Sequence, residues 1–240
     1  MKRLLFLLIL LPAVLSAQTG DTSAPLRVSF LGDSYTTYMG AVAVDTFDVW
    51  YPRHEVNKND RKKAVNDVQD IEQTWWRQLL KATGWTLDTN NSFSGATVCY
   101  TGYRKEDYTN RSFLNRLAYL GEPDVILCCG ATNDSWAGSP IGEYKYANWT
   151  PADFKSFRPA MAALCEGFRT HYPQAKVYFI LNSELKPEIN ESVRTICRHY
   201  GIALIELHDI DKQWGHPSVA GMKAIADQVL DVLRADRCVK

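Results

Sequence analysis

No sign of charge dominates this chain: 27 Lys and Arg stand against 27 Asp and Glu in 240 residues. A balanced surface offers no field to hold a polyanion, so neither nucleic acid nor an anionic membrane is an expected partner. Six cysteines are present, but their spacing follows no zinc-binding pattern, and neither a metal nor an organic cofactor is expected. Internal repeats and interdomain linkers are also missing. With hydrophobic residues at 46%, the length without its first residues fits one α/β domain with an ample core. Only one long apolar run exists, Leu4 to Leu15, and it is too short for an ordinary spanning helix.

That run has another reading. Met1-Lys2-Arg3 precedes it as a positive region, and Ser16-Ala17 follows as small residues suited to signal peptidase. Residues 1–17 therefore read as a signal peptide, 18–25 as a flexible leader, and 26–240 as a single domain. No cysteine follows Ala17, so a lipid anchor is not indicated. The mature protein is expected to be exported, periplasmic or secreted, without stable membrane insertion. The sequence does not speak to its oligomeric state.

From Leu26 onward, short β-rich runs alternate with longer amphipathic ones. Strands are predicted at Leu26–Leu31, Trp85–Asn90, Asp124–Cys129, Lys176–Leu181 and Ile202–Leu207. Helices are predicted at Val68–Thr83, Tyr108–Leu120, Pro151–Tyr172, Pro187–Tyr200 and Pro217–Ala235, with Thr150 as the cap of the third and Gly201 closing the fourth. Parallel strands need crossovers, and the crossovers supply covering helices. The expectation is a three-layer α/β/α fold, a doubly wound parallel sheet of five strands in order 2-1-3-4-5. Cys128 and Cys129, adjacent on the third strand, then face opposite sides as small core residues. The same topology sets Cys165 and Cys197 on neighbouring helices, which makes them the preferred disulfide.

Four segments reach one edge of such a sheet. Gly32-Asp33-Ser34 follows the first strand and Ser94-Gly95-Ala96 the second. Gly130-Ala131-Thr132-Asn133-Asp134 follows the third, and Gly215-His216-Pro217 precedes the last helix. A serine at a strand exit can project its hydroxyl at the carboxyl edge, where a distant histidine can take its proton. In order and spacing these blocks resemble the SGNH/GDSL hydrolase family, over essentially the whole mature chain. The resemblance implies a flavodoxin-like fold and a serine esterase or acylhydrolase. It makes Ser34 the nucleophile and His216 the general base and acid. The Ser34 and Gly95 N–H groups with the Asn133 amide would form the oxyanion hole. His54, His171, His199 and His208 lack that context and read as structural or exposed.

Two positions depart from the family pattern. Where the family has Asp three residues before the histidine, this chain has Gln213; Asp211 and Asp209 are the nearest acids. Asp211 could serve as the triad acid if the loop bends, or a backbone carbonyl could hold the ring in a dyad. Ala131 also stands where the family has glycine.

Two insertions flank the site. One, Thr36 to about Asp67, carries Trp50-Tyr51 and the basic run Asn57 to Lys63; the other carries Trp136, Tyr144, Tyr146 and Trp149. The rings could stack on sugars, but packing the insertions onto the domain is the favoured reading, and the basic run reads as solvated surface. The expected activity is an exported carboxylic ester hydrolase acting on a small-molecule or glycan ester, with carbohydrate deacetylation as one form. The alternatives are a lipid or thioester acylhydrolase and a non-catalytic carbohydrate-binding protein that keeps the fold. Acyl group and alcohol are not written in the sequence.

Overall fold

The computed structural model describes residues 24–52 and 66–239. The expected signal peptide, most of the leader, His54 and the basic run lie outside these residues. Five parallel strands form one sheet: β1 (Arg27–Gly32), β2 (Thr86–Ser92), β3 (Val125–Gly130), β4 (Lys176–Leu181) and β5 (Ala203–Glu206), in the order β2-β1-β3-β4-β5. β1 pairs with β2 on one side and with β3 on the other, Gly32 lying opposite both Ser92 and Cys129. The chain reverses its winding direction between β1 and β3, so their carboxyl ends open onto one crevice.

Alternation along the strands divides the core into two layers. Leu31, Ile126, Cys128, Phe179 and Leu181 face one side. That side is covered by α2 (Phe113–Arg116), α4 (Phe157–His171) and α5 (Pro187–Tyr200). Val28, Phe30, Leu127, Cys129 and Ile180 face the other, under α1 (Trp75–Thr83) and α6 (Val219–Ala235). Cys128 and Cys129 thus point to opposite layers, both fully buried, as period-two geometry requires. Among the described residues, no helix is long and apolar enough to cross a membrane.

Four helices are shorter than the apolar spacing predicts, α6 by only two residues, since Ser218 caps it and Pro217 lies in a strand. α4 begins at Phe157, not Pro151, because Pro159 would drive its ring against the carbonyl of Lys155 if the helix continued backward. Asp153 fastens the preceding turn instead, accepting from the Thr150 N–H and hydroxyl and from Lys145. α1 begins at Trp75 because Asp70 and Gln73 close a capping box on a single 3-10 turn, after which Thr74 is extended. The run from Tyr108 yields only a 3-10 turn and α2, separated by extended Ser112, whose hydroxyl caps α2. The buried Arg116 guanidinium explains the local departure: it donates to the carbonyls of Arg111, Asn91 and Gly32, binding this segment to the ends of β1 and β2.

The expected Cys165–Cys197 disulfide is not formed. The two residues do stand on the adjoining helices α4 and α5, in one buried cluster, but all six cysteines are free.

Candidate active site

Ser34 opens a single 3-10 turn directly beyond β1, capped by Asp33, whose carboxylate accepts from the Tyr35 N–H at 3.1 Å. The Thr37 hydroxyl donates to the Ser34 carbonyl at 3.0 Å and tightens the turn. Ser34 is almost wholly buried, and so is His216. Their side chains meet with His216 Nε2 2.9 Å from Ser34 Oγ, across 182 residues of sequence.

His216 arrives on a small antiparallel hairpin of β6 (Lys212–Gln213) and β7 (His216–Pro217), in which Gln213 pairs with His216. Its two-residue turn is Trp214-Gly215, with φ of 54° and 77°. Positive φ at both positions is the backbone of a type I′ turn, which glycine adopts without strain and tryptophan does not. The turn aims the Trp214 carbonyl back at the ring, 3.1 Å from His216 Nδ1. A carbonyl can only accept, so Nδ1 carries the hydrogen in the neutral ring and Nε2 presents its lone pair to Ser34. This is the tautomer a general base needs.

The hairpin also accounts for the acid position. Gln213, where the family has aspartate, sits in β6, and its side-chain oxygen accepts from the Asp67 N–H at 2.9 Å. Asp211 is not brought to the imidazole: its carboxylate accepts from Ser218, the cap of α6, and its backbone carbonyl accepts from the Ser218 N–H. The expectation that Asp211 orients His216 is corrected accordingly. Asp211, directly before β6, fastens the start of α6. Asp209 lies beside the exposed His208. The other described histidines sit elsewhere, His171 against the Gly167 carbonyl and His199 stacked on Tyr146.

The opposite wall comes from β2 and β3. The Phe93 N–H reaches the Gly32 carbonyl at 3.1 Å, and Gly95 turns beyond it with φ of 78°. The space where a Cβ of Gly95 would lie is open apart from Arg111 Nη1 at 3.9 Å. Asn133, in the first turn of α3 (Thr132–Ala137), donates through Nδ2 to the carbonyl of Ala96, next to Gly95, at 3.0 Å. Its Oδ1 accepts from the Tyr103 hydroxyl at 2.8 Å. These two bonds fix the amide with one N–H left to give. Tyr103 was absent from the sequence reading, since nothing in its spacing links it to Asn133. Burial holds its phenol up near pKa about 12, so it remains a donor.

Two carboxylates stiffen the floor of the site. Asp134 accepts from the N–H groups of Val98 and Cys99, and burial raises its pKa to about 6 against those bonds. Asp33 is raised to about 7, chiefly by burial, with the Tyr35 N–H, the Thr132 hydroxyl and Arg116 pulling the other way. Arg116 itself is lowered to about 9 by burial. Ala131, at the glycine position, takes φ of 72° and so carries the backbone strain that glycine would avoid.

Of the aromatic residues in the insertions, Tyr146 and Trp149 pack on the core as favoured. Trp136 does not, being 42% exposed, and Trp214 in the hairpin turn is 63% exposed. Trp136 meets the His216 ring edge-on at 5.8 Å. Beside Gly95, a pocket of about 320 Å³ is lined by Phe47, Phe93, Tyr108 and Arg111 among others.

A buried serine held to a base of fixed tautomer, with an oriented amide beyond the neighbouring strand β3, is suited to attack on an acyl carbon. The comparisons with known proteins agree in kind. No curated protein matches the chain. Among solved structures, it is similar to a candidate GDSL-like lipase from Bacteroides ovatus ATCC 8483, with 49% identity and a TM-score of 0.82, over 89% of this chain and 100% of the other. It is equally similar to a candidate GDSL-like lipase from Bacteroides uniformis ATCC 8492, with 50% identity and a TM-score of 0.82, over 88% and 96%. At 16% identity it shares a fold with an acetyl xylan esterase from Butyrivibrio proteoclasticus, TM-score 0.54, over 89% and 64%. The model of the GDSL-like lipase/acylhydrolase family matches residues 26–233, from the first strand into the last helix, and the chain belongs to that family of hydrolases.

Proposed function

We propose that this protein is an exported serine esterase that removes short acyl groups, acetyl foremost, from carbohydrate. The observation that carries the reading is the Ser34–His216 contact at 2.9 Å, with Nδ1 engaged by the Trp214 carbonyl. Ser34 attacks the ester carbonyl, His216 takes its proton and hands it to the departing alcohol, and the Asn133 amide with the Ser34 and Gly95 N–H groups holds the oxyanion. Water then releases the acyl group by the same relay. No metal or organic cofactor enters these steps.

Carbohydrate is favoured by the two indoles at the rim. Trp136 and Trp214 expose flat apolar faces beside a polar reaction centre, which suits the C–H face of a sugar ring better than a flexible chain. Export is supported by the order Met1-Lys2-Arg3, apolar Leu4 to Leu15, then Ser16-Ala17.

The experiment is hydrolysis of a short-chain chromogenic ester by wild type and Ser34→Ala, with a serine-directed phosphonate. Loss of at least about a thousandfold in the variant, and stoichiometric labelling of Ser34 in wild type, are expected. Unchanged turnover in Ser34→Ala overturns the assignment. A screen of acetylated glycans against fatty-acyl esters tests the substrate, and preference for long acyl chains would move it to lipid.

A further inference from the structure

The hairpin is not all that holds His216. The indole of Trp50 lies flat on the imidazole, ring centroids 3.5 Å apart and planes within 7° of parallel. Trp136 and Tyr51 stand edge-on to the same ring, at 72° and 79°, and Tyr35 is tilted at 57°. The backbone of Trp50 is tied in turn to the serine. Its N–H donates to Thr37 Oγ1 at 2.9 Å, and that hydroxyl donates to the Ser34 carbonyl at 3.0 Å. The next residue, Tyr51, donates its hydroxyl to the Pro217 carbonyl at 2.8 Å. A closed circuit results: Ser34 to Thr37, Thr37 to Trp50, Trp50 onto His216, and His216 back to Ser34.

We propose that Trp50 is a positioning residue for the reaction assigned above to Ser34, holding the plane of His216 and favouring the imidazolium that forms there. The inference rests on that reading of Ser34. In the step concerned, the Ser34 O–H bond breaks as the bond from Oγ to the acyl carbon forms, and the proton passes to His216 Nε2. The ring then carries a positive charge until it gives the proton to the leaving alkoxide.

Two physical effects bear on that moment. An imidazole turns easily about its Cβ–Cγ bond, where the torsional wells are broad, and any such turn swings Nε2 away from Ser34. A parallel indole against one face obstructs the turn. Indole also has the strongest face potential for a cation among the aromatic side chains, and this attraction grows when water is excluded, as it is from a nearly buried ring. It is stronger for the charged ring than for the neutral one, so it lowers the barrier and not merely the ground state. An aliphatic side chain could fill the same space and supply neither effect in full.

The test compares Trp50→Leu with Trp50→Phe on a short-chain ester, with Ser34→Ala beside them. Trp50→Leu should lose on the order of tenfold or more in kcat while KM stays within about twofold; Trp50→Phe, which keeps a π face, should recover to within about threefold of wild type. A raised KM with unchanged kcat in Trp50→Leu would give the indole to substrate binding instead. Equal losses in both variants would reduce it to a space-filler, and no loss in either would remove its role. Proton NMR supplies a readout that needs no turnover: the His216 Cε1 proton should be shifted upfield by the indole ring current in wild type and lose that shift in Trp50→Leu. An unshifted wild-type resonance would overturn the stacking itself. If Ser34→Ala kept full activity while the ring-current shift was present, the serine assignment would fall and the packing would stand, and the Trp50 role would fall with the serine.

Discussion

Ser34 and His216 meet at 2.9 Å, yet different kinds of structure deliver them. Ser34 stands two residues past Gly32, the end of the interior strand β1, whose register is fixed on both sides by β2 and β3. Its turn is closed by its own neighbours Asp33 and Thr37. His216 lies outside the sheet on a hairpin with two residues in each strand, and its restraints come from far away. Tyr35 donates to the Gly215 carbonyl across 180 residues, Tyr51 to the Pro217 carbonyl across 166, and Asn66 to the same carbonyl across 151. Local geometry can place a nucleophile once a buried strand points at the edge. The proposed base, which must be aimed to a fraction of an ångström, is held here by side chains reaching in from the serine's half of the chain.

The strongest way to test that the two halves form one device is to remove each. His216→Ala should lower turnover of a short-chain ester by about a thousandfold or more, comparable with Ser34→Ala. The double variant should be scarcely worse than either single one, because groups that act as a unit are lost together. Additive losses, measured as kcat/KM on folded proteins, would separate the pair.

The proposed oxyanion wall, at the ends of the two strands that flank β1, stands beside the serine, and its loss should come next in size. Asn133→Ala should cut kcat by about a hundredfold or more with little change in KM, since its amide would meet charge present only in the transition state. Tyr103→Phe leaves Asn133 in place but frees its Oδ1 from the 2.8 Å bond, so a loss on the order of tenfold, again in kcat, is expected. A change confined to KM in either variant would assign the residue to substrate binding.

This division also explains what could be read beforehand. The sheet order, the strands and the placement of α5 were legible, because burial period and caps such as Pro187 and Gly201 are local signals. The start of α4 was misplaced although the cause, Pro159, stands in the sequence: a proline in the first turn forbids helix before it, and the apolar spacing hid this. Trp50 and Tyr103 were not legible as partners of His216 and Asn133, because the contacts join loops whose spacing carries no periodic signal. The two-residue turn at Trp214-Gly215 was missed for another reason. Tryptophan at positive φ is an exception to turn chemistry, sustained by tertiary contacts.

Asp211 sharpens the contrast with a smaller effect. Its carboxylate serves α6 through Ser218 and not the imidazole, so Asp211→Asn should change kcat by less than about tenfold, near 1.4 kcal/mol at most. The asparagine keeps an acceptor for Ser218, and thermal stability should fall only slightly. A loss of orders of magnitude in kcat would restore Asp211 as the acid and remove the claim that the hairpin's backbone sets the tautomer.

The smallest expected effect concerns what the serine's turn costs the fold. Asp33 is fully buried, and its carboxyl is raised from the ordinary 3.8 to about 7, mainly by burial. The folded protein therefore holds a proton that the unfolded chain gives up at lower pH. The associated stability is fully present below about pH 4 and is lost as pH rises through about 7. Asp33→Asn keeps an oxygen to accept from the Tyr35 N–H and cannot ionise, so it imitates the protonated carboxyl at every pH. The variant's Tm relative to wild type should therefore climb between about pH 4 and 7 and level off above it. Asp134, raised to about 6, bends both curves in the same sense, and because its charge repels that of Asp33 the upper part of the rise belongs to the two carboxyls together. Thermal unfolding followed across this range decides the matter. A difference that does not vary with pH would mean that Asp33 is already ionised throughout, and that the serine's half holds its turn without the proton.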